Sequence, residues 1–449
     1  MATSGRWRRW GTVALAAVGV SLFGCTPAPD PATGRASAGD IFTSDPVNNG
    51  ATVSGIALPA ATYGGVALGS VPCHVALPDG WRRAVEAGHL WSGRLNSAPG
   101  APMPDGSGVL VASDLGVVPT RITVQGAGQQ VVQDFGTVDN PTGQGQWSYS
   151  SADADHVVFA YEFTIGEQQS DRWAIYVGDR RTMRLTEIAR NPVDSDGVAL
   201  PSVWVRPVLT RDYVYWIQAT RDKTPWGGNE LMQYSFATGS TRVIYHGMAL
   251  GFVPLGSMIV FGALAPDAPP PPTDGGLWVF PEIVEAVDQA TGLPVEPPAG
   301  LDFAQDNPDS VISDGDIVVW STPKMELRAW RAAWGRSITL VPRIWWPEQK
   351  LGVNAVDDPQ IYGHFLSWRG GWVLDLTTNT FASLTTANGS DCVSGSGDWL
   401  AWCDLDPGSS NPAPPGGNPY TQYLINLKGL PDLPGCPEAG GSPVLSPSP

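Results

Sequence analysis

Catalytic signatures are missing from this chain. No His-Glu-x-x-His, Gly-x-Ser-x-Gly or glycine-rich phosphate loop occurs, so the motifs that mark zincins, nucleophile elbows and P-loops are all absent. Histidine is scarce, with five in 449 residues. Basic residues are few: 26 Lys and Arg stand against 43 Asp and Glu, a net charge of −17. That sign repels phosphate backbones and anionic lipid surfaces, so nucleic acid is excluded as the expected partner. The one long apolar run, Trp10 to Phe23, is too short and too glycine-broken for a comfortable membrane span. Helical periodicity nearly vanishes after Leu90, which argues against a helical bundle.

The start of the chain carries an address. Arg6, Arg8 and Arg9 precede the apolar run, which ends in Leu22-Phe23-Gly24-Cys25. This charge and length pattern is that of a secretory signal. The Gly-Cys ending resembles the bacterial lipobox, whose cysteine becomes diacylated and N-terminal after cleavage. The resemblance implies a lipoprotein held on the cell membrane through Cys25 and facing outside the cytoplasm. Residues 1–24 are then the signal peptide. Residues 25–40, rich in Pro, Gly and Ser and without apolar periodicity, form a flexible tether.

Four cysteines remain: Cys73, Cys392, Cys403 and Cys436. An even number in an exported chain suggests disulfides, with three connectivities open. Cys392 and Cys403 flank one strand-like phrase and are close enough to bridge neighbouring antiparallel strands. Cys73 would then pair with Cys436 and join the two ends of the folded part. A zinc site competes, but the paired Cys-x-x-Cys spacing is lacking, and His74 is the one histidine next to a cysteine.

What the chain has in abundance is short apolar strands. Nineteen Trp, 53 Gly and 42 Pro in a chain with only 15 % charged residues describe a turn-rich β protein. One phrase recurs. Ser313-Asp314-Gly315-Asp316-Ile317-Val318-Val319-Trp320 is a turn followed by an apolar run ending in an aromatic. It returns as Asp155 to Phe159, Asp212 to Trp216 and Asp398 to Trp402, and more loosely as Ser257 to Phe261 and His364 to Trp368. Gly108-Val109-Leu110-Val111 is a degenerate seventh copy, with Ile122 to Phe135 as its partner strands. Later in each repeat come hairpin phrases such as Met232 to Gly239, Val284 to Gly292 and Trp372 to Asn379, the last two with an Asp and a Thr three or two residues apart.

Repeats of roughly 45 to 55 residues suit four-stranded propeller blades. The pattern resembles TolB-type and WD-like β-propellers, whose blades carry an Asp-x-apolar-apolar-x-aromatic inner strand and a later Asp-Leu-x-Thr-Gly hairpin. The resemblance spans about Gly108 to Leu427. It implies an all-β propeller of seven four-stranded blades, with six or eight as neighbouring counts. A pair of β-sandwiches would not explain one phrase with one aromatic endpoint. The propeller and an N-terminal strand and helix segment occupy 41–436, leaving 437–449 as a disordered tail. Within that segment Ala51 to Leu58 is an expected strand, and Trp81 to Leu90 an expected helix that Asp79 caps.

Candidate sites are few. His156 and His364 sit in the strand phrase itself, where a core or inter-blade contact is the expected role. Asp194-Ser195-Asp196-Gly197 and Asp302 to Asp316 have oxygen density suited to calcium. Neither completes a calcium loop, and turn chemistry explains both, so no cofactor is expected. Trp226, Trp345 and Trp346 lie in turn-like surroundings, where aromatic faces stack on sugars or anchor a protein partner. The expected function is a non-catalytic binding or scaffold module for an envelope protein or cell-wall glycan. The alternative is a glycan-active hydrolase or lyase with carboxylates in the propeller channel.

Overall fold

The computed structural model describes residues 52–53, 56–57, 60–95, 100–113, 119–139, 146–163, 173–193, 199–200, 205–220, 228–268, 282–306, 308, 310–342, 358–385, 390–405 and 418–436. Within them the chain forms a ring of seven β-sheets, a seven-bladed β-propeller. Five of the blades are built in simple chain order, each strand pairing antiparallel with the next. Blade two uses Gln146–Ala152, His156–Glu162, Trp173–Asp179 and Arg184–Arg190. Blade three uses Val208–Leu209, Tyr213–Ala219, Asn229–Ser235 and Ser240–Gly247. Blade four uses Ala249–Leu255, Met258–Leu264, Glu282–Asp288 and Pro294–Val295. Blade five uses Ser310–Ser313, Ile317–Ser321, Leu327–Arg331 and Arg336–Val341. Blade six uses Gln360–Tyr362, Phe365–Trp368, Trp372–Asp375 and Thr380–Ser383, and gains Cys73–His74 as a parallel fifth strand.

The first and last blades differ. Blade one has three full strands, Val109–Ser113, Thr120–Gln125 and Val131–Val138. Its innermost position is taken by residues 100–103, whose Gly100 and Met103 amides donate to Leu110 and Gly108. Blade seven is composite. Ser390–Ser396, Trp399–Leu405 and Asn418–Asn426 come from the end of the chain, and its outermost strand His89–Leu95 comes from the beginning. The ring therefore closes by hydrogen bonds between the two ends of the fold.

The recurring phrase is the second strand from the axis in each blade, not the innermost as the family resemblance implies. The reason is burial on both faces. Along a strand, alternate side chains point to opposite sides, and here both sides meet another blade. Phe159 and Val157 pack on blade one, with Leu110, Ile122 and Val124, while Val158 and Ala160 pack on blade three beside Trp216. Phe261 meets Tyr215, Ile217 and Leu231. Trp320 meets Val253, Leu255 and Val260. Trp368 meets Ile317, Val319 and Leu327, and Trp402 meets Phe365 and Val373. In blade one the anchor is Val111, and Trp91 from the closing strand fills the space at that interface, together with Ala401 and Leu424. Blades two to seven thus each send one large aromatic side chain into the blade before them, and at the blade-one interface Trp91 of blade seven takes that place. A buried aromatic removes roughly 150–250 Å² from water, worth about 4–6 kcal/mol at about 25 cal/mol per Å².

The polar part of the phrase is backbone architecture. Asp314 Oδ1 accepts the amides of Asp316 and Ile317, and Asp153 Oδ1 those of Asp155 and His156. These are the self-bonded turns that short acidic side chains favour. The residue before the second strand then offers its carbonyl to an amide just past the third strand. This bond recurs as Arg180 to Asp155, Phe236 to Asp212, Gln289 to Ser257, Leu376 to His364 and Leu427 to Asp398. The hairpin aspartates act similarly: Asp288 Oδ1 accepts the Thr291 amide and hydroxyl, and Asp375 Oδ1 those of Thr377.

Outside the blades, Asp79–Ala87 forms the one α-helix among the described residues. It is shorter than expected, because His89 and Leu90 are drawn into the closing strand. Asp79 is in the first turn and pairs with Arg82; the capping position is Pro78, which supplies no side-chain acceptor. Trp81 is wholly buried edge-on against Phe365, 5.1 Å away, and its indole donates to Pro431 O. Thr52–Val53 and Ile56–Ala57, in the stretch expected as a single strand, pair as a small separate hairpin. Disulfides join Cys73 to Cys436 and Cys392 to Cys403, with Cα separations of 5.9 and 5.2 Å. No helix among the described residues is long and apolar enough to cross a membrane.

Packing and not charge should therefore dominate the repeat. Trp320→Ala is expected to cost about 3–5 kcal/mol, as other buried Trp truncations do. Asp316→Asn, which loses a half-exposed pair with Arg331, should cost about 1 kcal/mol or less. Urea denaturation of the two variants checks this, and similar losses for both would contradict it.

Candidate functional site at the channel mouth

Antiparallel blades sort their connections between the two ends of the ring. Turns from first to second strand and from third to fourth strand lie at one end. Connections from second to third strand, and from one blade to the next, lie at the other. The first end is built of tight turns such as Asp153 to Asp155, Asp314 to Asp316 and Thr377 to Asn379. All the long connections leave from the second end: those between Glu162 and Trp173, Leu264 and Glu282, Leu405 and Asn418, and Val341 and Gln360. Long loops on a rigid scaffold are where binding surfaces concentrate.

At the axis of this second end, four blades meet on one side chain. Arg206 shortly precedes the innermost strand of blade three. Its Nη1 donates to Ser310 Oγ at 2.7 Å, and its Nη2 donates to Asp358 Oδ1 at 2.9 Å and to the Tyr149 hydroxyl. The guanidinium also sits 3.8 Å from the centre of the Tyr149 ring, a cation–π contact. Tyr149 belongs to the inner strand of blade two, Ser310 opens that of blade five, and Asp358 leads into that of blade six. Arg206 thus spans the axis and ties inner strands that belong to four separate sheets.

Electrostatics keeps this group together. Burial opposes the Arg206 charge, but Tyr149 and Asp358 outweigh it and hold the guanidinium pKa above its usual value. Burial pushes the Tyr149 phenol up, so it stays neutral. Asp358 adopts a left-handed backbone (φ 51°), which aspartate tolerates better than most residues. Arg206 and Asp358 remain about one-third exposed, so the ion pair faces the channel mouth. Asp358 and Arg206 thus form a closed ion pair.

A second carboxyl at the same end has no partner among the described residues. Glu282 begins the third strand of blade four, is 7 % exposed, and neither carboxyl oxygen makes a hydrogen bond. It lies in a niche left by Gly262, where a Cβ would come within 2.9 Å of Oε2, beside Phe303 and Ala304. Burial pushes its pKa up to about 8, so the group keeps its proton at neutral pH.

Cys25, Trp226, Trp345 and Trp346 lie outside the described residues, as do Asp194 to Gly197. Of the acidic stretch Asp302 to Asp316, Asp306 accepts from the Trp320 indole and pairs with Arg328, while Asp314 serves its turn. His156 stacks on Phe236 of the next blade, ring centres 4.0 Å apart. Sequence reasoning missed Tyr149, Arg206, Ser310 and Asp358. Their only local signal is position, since three of the four stand at or just before an innermost strand.

No family model matches the chain, and no curated protein matches it. Among solved structures the chain is similar to the β-propeller domain of the Trilobed protease from Pyrococcus furiosus, at 9 % identity over 76 % of this chain and 100 % of that one, TM-score 0.43. It is also similar to an oligogalacturonate lyase in complex with manganese, at 12 % identity over 75 % and 90 % of the two chains, TM-score 0.41. TolB from Acinetobacter baumannii is similar at 15 % identity over 54 % and 53 %, TM-score 0.31. These likenesses concern the fold alone.

The Glu282 niche predicts a pH dependence. The folded pKa of about 8 lies above the ordinary 4.5, so the unfolded chain releases the proton first as pH rises. Stability is then lost between about pH 4.5 and 8, at up to about 1.4 kcal/mol per pH unit. Glu282→Gln should remove this slope, and its melting-temperature advantage over the parent should widen from pH 5 to pH 8. A constant difference across that range would contradict the assignment.

Proposed function

We propose that the chain is an exported lipoprotein, anchored to the cell membrane at Cys25, whose propeller is a non-catalytic binding or scaffold module for an envelope protein or cell-wall glycan. The observation that carries this reading is the opposition of the two ends of the ring. The segment that precedes the blades touches the propeller at the tight-turn end: Trp334 Nε1 donates to Thr62 O at 2.9 Å, and Asn379 Nδ2 to Ser70 Oγ at 2.9 Å. A chain tethered through residues 25–40 therefore holds that end toward the membrane. The end with the long connections and the Arg206–Asp358 pair is then presented outward.

The three candidate tryptophans fit the same arrangement by their place in the chain. Trp226 falls between the second and third strands of blade three, and Trp345 and Trp346 between blades five and six. Both connections start and finish at the outward end. Aromatic faces beside a polar pair are a common recipe for sugar or protein recognition. A glycan-active hydrolase or lyase is the reading that an experiment must separate from this one.

Cys25→Ser should move the protein from the membrane to the soluble fraction, and unchanged fractionation would refute the anchor. Full-length protein in detergent should co-sediment with purified cell-wall sacculi or bind an envelope protein saturably, without releasing sugar products. Trp226→Ala combined with Trp345→Ala and Trp346→Ala should weaken that binding. Release of reducing or unsaturated sugars would replace the binding module with the enzyme.

A further inference from the structure

We propose that His364, Asp375 and Asp432 form a site for a divalent cation of the zinc type, which locks the C-terminal segment onto blade six. The three residues come from separate parts of the chain: the turn into the second strand of blade six, the last residue of its third strand, and the segment that follows the final strand. One donor atom from each lies within 4.8 Å of the other two. An imidazole with two carboxylates suits zinc and, second, manganese.

The donors are held and short of partners. The His364 ring packs against Phe365, 4.0 Å between centres, and its carbonyl accepts the Leu376 amide. Its Nε2 is buried without a hydrogen bond and lies 3.1 Å from Asp432 Oδ1, an ion pair only when the ring is protonated. Asp375 is wholly buried. Its Oδ1 serves Thr377, and among the described residues Oδ2 accepts only the Leu433 amide at 2.8 Å. No Lys or Arg among the described residues pairs with Asp375 or Asp432. A buried carboxylate beside a second one without a cation is costly, and a divalent ion supplies the missing charge. Bonds of about 2.0–2.2 Å draw the donors closer than they stand, and Asp432, 60 % exposed, has the freedom to move in.

The consequence is mechanical. The segment carrying Asp432 also supplies Pro431 O to Trp81, Leu433 N to Asp375, and Cys436 to Cys73. An ion here fastens the end of the chain at the point where its beginning is already attached.

The test uses full-length protein in detergent, stripped with a chelator and titrated with zinc chloride and then manganese chloride by calorimetry. One equivalent should bind, and the melting temperature should rise. His364→Gln and Asp432→Asn should each weaken binding by at least about tenfold, the size of loss that even an outer-shell partner produces. Asp432→Asn keeps a surface residue polar, and an unchanged near-UV spectrum without metal verifies its fold. Absence of stoichiometric binding, or binding equally strong in both variants, overturns the site.

Discussion

The structure depends on one constraint: the second strand of every blade is apolar on both faces. A sheet whose two faces both need covering cannot stand at the end of a stack, so the stack has to curve round and close. Seven interfaces satisfy the requirement, each filled by an anchor side chain reaching into the blade before it. The closure then requires a last blade that holds its place, and the chain meets this by pairing His89–Leu95 with Asn418–Asn426. Trp91 shows both demands met at once, since it belongs to the closing strand and packs in the interface where the anchor is only Val111.

With the interior committed to packing, specificity has to come from the two ends. Tight turns and the described segments 60–88 and 427–436 occupy one end. Tyr63, Ser70 and Trp81 fasten there or beside it to blade six, and the Cys73–Cys436 disulfide ties in the segment after the final strand. The other end keeps the long connections and the Arg206 group. The division of labour follows from antiparallel pairing alone, before any ligand is considered.

Much of this was legible in the chain. The aromatic endpoints marked the interfaces, and the weak copy at Val109 to Val111 supplied the seventh blade. The Asp-Thr hairpins of Asp288 and Asp375 were visible as local turn chemistry. The rank of the phrase within the blade was not visible, because three of the true inner strands are too short to read: Val208–Leu209 has two residues, Gln360–Tyr362 three and Ser310–Ser313 four. The Arg206 group was also out of reach, since its partners are 57, 104 and 152 residues away and only ring closure brings them together. Glu282 carries no sequence signal at all, as its burial is created by Gly262 and by Phe303 from the next connection.

Native-state hydrogen exchange, resolved strand by strand, tests ring closure most directly. Amides of His89–Leu95 should open with the same free energy as those of Asn418–Asn426 and of Tyr213–Ala219 across the ring, because one broken interface exposes two apolar faces. Exchange of His89–Leu95 at a much lower free energy, with the other strands still protected, would contradict the account.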